Sequence, residues 1–181
     1  NDLVKAGVAH YQFEAIHPFE DGNGRIGRLL IPLILFHKRK ISSPILYISG
    51  YLDGHRDEYI EALHRADESG KYENWLAFFF RGVASQLGKT QKIVEDIYAL
   101  HDLVIEQSGN IKSPYLRPFI EYMFQSPVFT IPAAQKKLKA NPITVRRLIK
   151  TFEIRRVVRE LPLRRGHAKL FRFDPLLECL R

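Results

Sequence analysis

Cysteine, methionine and tryptophan are almost missing from the 181 residues: Cys179, Met123 and Trp75 are the sole examples. One cysteine excludes an internal disulfide and fits a reducing, cytoplasmic setting. Long apolar runs are missing too. The longest, Leu29 to Phe36, falls well short of the roughly 20 residues that a membrane-spanning helix needs, so no membrane is expected as a partner. There is no signal-peptide pattern, no G-x-x-x-x-G-K-[ST] phosphate loop, no H-E-x-x-H zinc pair, no repeat and no low-complexity segment. With Met123 the only methionine and Asn1-Asp2 at the start, the sequence reads as a piece of a longer protein. Acidic residues are scarce in one half only. Residues 111–181 hold 5 Asp+Glu against 16 Lys+Arg, whereas residues 1–110 hold 15 against 12. That asymmetry predicts two domains, 1–110 and 111–181, with different partners, the basic one suited to a polyanion such as DNA.

What is present in quantity is apolar: 45% of residues, enough for packed cores and against disorder. Asp2 is placed to cap a helix that carries Leu3, Val4, Val8, Tyr11 and Ala15 at helical spacing and ends near Ile16, because Pro18 disfavours helical geometry at His17. A polar loop, Pro18 to Gly24, leads to a second helix from about Arg25 that is expected to bury Ile26, Leu29, Leu30, Leu33 and Ile34, with Pro32 inside it. A third helix is expected over about His55 to Glu68 with Gly70 as its stop, and a long one from Tyr72 to Ile105 with a break near Gly88. After Ser108-Gly109-Asn110, helical stretches at Tyr115–Phe124, Ile131–Lys139 and Pro142–Phe152 precede two β-prone runs, Arg156–Leu161 and Lys169–Phe173. The fold class is therefore mainly α. The last part has the outline of a winged helix-turn-helix, three helices and then a basic hairpin. On it, Arg146, Arg147, Arg155 and Arg156, with Arg164 and Arg165 on the wing, are the candidate DNA contacts.

The unusual chemistry lies in twelve residues, His17 to Arg28. Gly22 and Gly24 allow a tight turn and close approach of a ligand to the backbone. The loop opens a helix, whose first N–H groups favour phosphate. Arg25 and Arg28 oppose the helix dipole in the first turns, at about 0.3–1 kcal/mol each when exposed. They make better sense as a clamp on an anion. Asp21 is a carboxylate for magnesium beside phosphate oxygens, Asn23 a donor to phosphate, and His17 a base for an attacking hydroxyl. Gly22 to Gly27 also spells G-x-G-x-x-G, but a helix precedes it and positions 40–50 lack Asp and Glu, which argues against a dinucleotide fingerprint. His10, His37, His55, His64, His101 and His167 have no metal-ligand spacing and are read as surface or core.

The same twelve residues match every constrained position of H-x-F-x-[DE]-G-N-[GK]-R-x-x-R, so residues 1 to about 110 resemble the Fic (Fic/Doc) family. The basic tail looks like the winged-helix module joined to many bacterial members. The resemblance implies a Fic-type helical bundle and a protein adenylyltransferase, moving AMP from ATP, with Mg2+, to a Ser, Thr or Tyr hydroxyl of a target protein. By the same resemblance His17 is the base, Phe19 anchors the loop in the core, Asp21 holds magnesium, Gly22, Asn23, Gly24 and Arg25 cradle the α- and β-phosphates, Arg28 reaches the γ-phosphate and Tyr51 lies near the adenine. The family's earlier helices, target-aligning flap and inhibitory helix are expected upstream of residue 1. Alternative readings are AMP removal, transfer of another phosphate-linked group by the same site, or a DNA-binding regulator with a nucleotide-sensing domain. A homodimer is a further expectation.

Overall fold

The computed structural model describes residues 1–180, which are mainly helical and divide into two compact units, residues 1–91 and Lys92 onward. The first unit is built from α1 (Asp2–Ile16), α2 (Asn23–His37), the short α3 (Ser49–Gly54), α4 (Arg56–Ser69) and the first part of α5 (Glu73–Gln107). Asn1, not Asp2, caps α1, its side-chain oxygen accepting the Leu3 N–H at 3.0 Å. Asp2 sits in the first turn, where its charge suits the dipole. Gly70 ends α4 in the left-handed region at φ 65°, as expected.

Trp75, Phe78 and Phe79 of α5 fill the centre of this unit with Ile31, Leu35, Ile48, Tyr51 and Leu52. Helix α1 comes against them through Gly7, where a Cβ would stand 2.8 Å from the Phe79 ring. The Trp75 indole donates to the Gly7 carbonyl at 2.8 Å. The buried face of α2 is Asn23, Gly27, Ile31, Pro32 and Leu35. This corrects the face expected from hydropathy: Ile26, Leu29 and Leu33 are exposed, because the side of α2 that faces α1 carries Asn23 and Gly27, which add nothing to an apolar pattern.

Helix α5 runs through Gly88 without the expected break. No atom lies near enough to Gly88 to demand a bend there. Its residues Ile97, Leu100 and Val104 join the second core. The compact units therefore part within α5 and not after Asn110, where the composition changes.

The second unit continues with α6 (Leu116–Gln125), β1 (Val128–Thr130), α7 (Ile131–Leu138), α8 (Pro142–Ile154), β2 (Val158–Arg165), β3 (Ala168–Phe173) and α9 (Asp174–Cys179). The sheet is antiparallel, in the order β1-β3-β2. Thr130 ends β1 opposite Leu170 and also caps α7, accepting the Ala133 N–H at 3.3 Å. Phe119, Phe129, Phe152, Phe171 and Phe173 form the centre of this core. Among the described residues no helix is long and apolar enough to cross a membrane.

Candidate active site

The site begins where α1 stops. His17 takes the left-handed conformation, φ 48° and ψ 56°, and its N–H closes the last turn on the Phe13 carbonyl at 3.0 Å. That conformation costs a non-glycine residue about 1 kcal/mol, and histidine tolerates it better than most. It turns the chain out of the helix and leaves the imidazole exposed at the mouth of the loop.

The loop is tied by Asn23, which is 2% exposed. Its Oδ1 accepts the Phe19 N–H at 3.0 Å and its Nδ2 donates to the Phe19 carbonyl. The amide expected to donate to phosphate is thus committed to the loop backbone, where it fixes the turn. Asp21 Oδ1 accepts the Gly22 N–H at 2.6 Å. Gly22, at φ 85°, precedes α2 in a left-handed conformation that suits glycine, and no side chain caps the helix. The first N–H groups of α2 are left to an anion.

Both arginines stand at this end of α2. Arg25 pairs with Asp21 at 3.2 Å, with the side chains 76% and 91% exposed. Arg28 pairs with Asp53 at 3.4 Å. The exposed Arg25–Asp21 pair holds by about 0–1 kcal/mol, so Arg25 can exchange its carboxylate for a more strongly charged anion, whereas the Arg28 side chain is only 24% exposed beside a 64% exposed Asp53. Arg25 and Arg28 line one hollow of about 480 Å³ with Leu29, Pro32, Ile45 and Tyr47. Gly24 lies beside them: a Cβ there would stand 3.8 Å from Arg28 Nη1.

Two aromatic expectations change. Phe19 does not anchor the loop in the core. It is 49% exposed, its ring 6.2 Å from that of Phe13, because Asn23 performs the anchoring through the backbone. Tyr51 is a core residue, stacked on His55 at 4.1 Å and packed over Gly82 of α5, whereas Tyr47 is the aromatic side chain beside the two arginines.

For magnesium, the described residues hold no group of three or more His, Cys, Asp or Glu able to make a protein cage. Asp21 is a single, highly exposed carboxylate. That donor set fits an ion which keeps its waters and takes its remaining ligands from phosphates.

Composition gave no warning of what lies beneath the loop. His10, on α1, is fully buried, its Nε2 3.0 Å from the Tyr59 hydroxyl and its ring stacked on Trp75. Burial holds its pKa below the usual histidine value; the Gly27 backbone opposes this and the Arg28 charge adds to it. Glu14, one turn on, is pushed up by burial and drawn back by the charges of His17 and Arg28. Burial also raises the Tyr59 phenol. Tyr11 donates to Asp67 at 2.5 Å, which pushes its phenol up to about 12. The available signal was a histidine and a glutamate four residues apart on the buried side of α1, the side that also carries Gly7.

The arginines of the second unit do not form one surface. Arg146 and Arg164 line a groove of about 660 Å³ with Lys150, His167 and Lys169. Arg147 is exposed on α8 and Arg165 on β2. Arg156 lies in a different hollow with Glu153, Arg159 and Asp174. Arg155 is occupied, donating to the Gln107 carbonyl and to Asn110 Oδ1 at the end of α5.

A family model matches the part of the chain that carries this site, and known proteins match about a third or more of the chain. The model of the Fic/DOC family matches residues 1–35. A protein of Aquifex aeolicus named as a probable protein adenylyltransferase is 41% identical over 68 residues, which is 37% of this chain and 19% of that protein. The protein adenylyltransferase fic-1 of Caenorhabditis elegans is 40% identical over 65 residues, 36% of this chain and 12% of its own length. A Fido domain-containing protein of Dictyostelium discoideum is 41% identical over 78 residues, 41% of this chain and 49% of that protein. The matched part thus spans from about an eighth to about half the length of these relatives. Together the matches support a Fic/Fido domain in the first part of the chain.

Proposed function

We propose that the site at the α1–α2 junction is that of a protein adenylyltransferase, which moves AMP from ATP to a Ser, Thr or Tyr hydroxyl of a target protein. One observation carries the reading: an exposed imidazole on the left-handed cap of α1 stands across a tied loop from an uncapped helix N-terminus that carries two arginines. The names of the similar proteins support a transferase of this family. In the reaction, the target oxygen attacks the α-phosphorus, the bond from that phosphorus to the bridging oxygen breaks, and pyrophosphate leaves. His17 accepts the hydroxyl proton. Backbone N–H groups of Asn23 and Gly24, with Arg25, hold the inner phosphates, and Arg28 leaves Asp53 for the outermost one. Gly22, whose N–H is held by Asp21 Oδ1, supplies the turn that aims them. Asp21 would hold a magnesium ion, which supplies charge neutralisation of the phosphates when bound. Tyr47, and not the buried Tyr51, is the aromatic side chain available to the nucleotide beside the two arginines.

Incubation with ATP labelled on the α- or the γ-phosphate, and a cell extract as the source of targets, tests this. Label carried onto protein from the α position only, and lost in His17→Ala, is the expected result. Transfer from the γ position alone would assign phosphate transfer instead. Release of AMP from modified protein, without its addition, would assign removal.

A second reading concerns the other unit. The order of a helix, a short strand, two helices and a basic hairpin supports a winged helix, and the groove lined by Arg146, Lys150 and Arg164, beside Glu153 and the Lys169–Glu160 pair, supports DNA binding there. Duplex affinity should fall steeply with salt, and the double variant Arg146→Ala, Arg164→Ala should lower the log–log slope by about 2. A slope that the double variant leaves unchanged removes this groove as the contact.

A further inference from the structure

Helix α2 carries the longest apolar run of the sequence, Leu29 to Phe36, without one charged residue. A helix that is apolar on every side belongs inside a protein. In the first unit only one side of α2 is inside. Asn23, Gly27, Ile31 and Leu35 are buried. Ile26, Leu29, Leu33 and Phe36 are between 37% and 54% exposed. With 3.6 residues per turn, the centres of the two sets lie about 160° apart around the helix axis. The exposed four recur at intervals of three, four and three residues, the a and d spacing by which one helix receives another. Their stripe is about 15 Å long. Ile45 and Tyr47, both exposed, widen it on one side, where they share a hollow with Leu29.

Charge says what covers the stripe. Helix α2 contains no Asp or Glu. At its N-terminal end Arg25 and Arg28 are matched by Asp21 and Asp53. At its other end stand His37, Lys38, Arg39 and Lys40, all exposed. Lys40 is paired with Asp2 at 3.6 Å. Among the described residues Lys38 and Arg39 have no carboxylate within ion-pair distance. A second copy of this chain fits poorly. Antiparallel pairing of two α2 helices would set Lys38 and Arg39 against Arg25 and Arg28, and parallel pairing would set them against themselves; either way cation meets cation. An anionic membrane fits less well than a helix, because the cations stand at the ends of the stripe and not along both its flanks.

We propose that the outer face of α2 is a docking surface for an acidic amphipathic helix of a second protein. The apolar seam of that helix packs on Ile26, Leu29, Leu33 and Phe36, and its carboxylates meet Lys38 and Arg39. The seam supplies the affinity, and the charge selects the partner and its direction along α2. None of these six side chains takes part in the proposed transfer, so the docking surface stands whether or not the loop binds a nucleotide.

Two labelled three-heptad peptides serve as probes of the full chain, both with Leu at a and d, one flanked by Glu and the other by Lys. Fluorescence anisotropy should show the Glu peptide binding at least tenfold more tightly than the Lys peptide. Leu33→Asp should abolish binding, and since Leu33 is exposed its circular dichroism should match that of the wild type. The double variant Lys38→Glu, Arg39→Glu should reverse the preference toward the Lys peptide. Failure of the Glu peptide to bind, equal binding of both peptides, or binding that survives Leu33→Asp overturns the proposal. Dimerisation of the chain by itself in sedimentation, lost in Leu33→Asp, would assign the face to a second copy and overturn it too. So would Leu33-dependent binding to vesicles of phosphatidylserine and phosphatidylcholine without binding of the Glu peptide.

Discussion

Gly27 is the tightest of the glycine positions in the first unit. A methyl group there would meet Glu14 Oε1, His10 Nδ1 and the Phe13 ring. Gly27→Ala should lower unfolding stability by about 1–3 kcal/mol, as for an overpacked core position, and chemical denaturation would measure it. An unchanged midpoint would mean that α1 and α2 separate easily. His10 adds a pH dependence. Its buried ring binds a proton less readily when folded than when unfolded, so its contribution is present above about 6.5 and is lost as pH falls through and below that value. Glu14 has the opposite sign: its raised value makes stability decline as pH rises through the range above that of an ordinary carboxylate. Against the wild type, His10→Gln should flatten the loss of stability between about pH 7 and 5, as followed by thermal melts. An equal slope in both proteins would show that His10 is not the group responsible. The motif was legible at this scale because its residues are chemically odd together. The support beneath was not, because His10 and Glu14 acquire their meaning only when Gly27 brings α2 against them, and spacing within α1 says nothing about α2.

Among the elements, helices marked by caps and stops were legible: α1 ends beside Pro18, α4 ends at Gly70, and α8 starts at Pro142. The face of α2 was not, since its contact side is made of Asn23, Gly27 and Pro32 as well as Ile31 and Leu35. Strand β1, with only three residues, and helices α3 and α9, with six each, are too short for periodicity to reveal. Gly88 misled in another way. Glycine often marks a break, but here it is one exposed residue in a helix held on both sides by packed neighbours. With open space around it, Gly88→Ala should stabilise the protein by about 0.5–1 kcal/mol. A loss of stability would show that the helix needs its glycine.

For the molecule as a whole, charge changes after Asn110 while the compact units divide within α5, through packing that composition does not report. Ile97, Leu100 and Val104 lie before the change in charge yet belong to the second core. The sole tryptophan, Trp75, is fully buried in the first. Trp fluorescence should therefore follow the melting of the first unit alone, while far-ultraviolet circular dichroism follows both, and the two denaturation curves should not superimpose. Val104→Ala should shift the circular dichroism curve and spare the fluorescence curve. Coincident wild-type curves would show a single cooperative unit.

Helix α5 leaves an experimenter who wants either half by itself without a convenient place for the scissors. A cut at the obvious seam, near Asn110, would strip the basic half of about two helical turns it packs on and leave their greasy side chains dangling from the other fragment. Clean pieces would have to be made by dividing a helix in its wettest stretch, between Leu87 and Lys92, and by letting each fragment keep its own share.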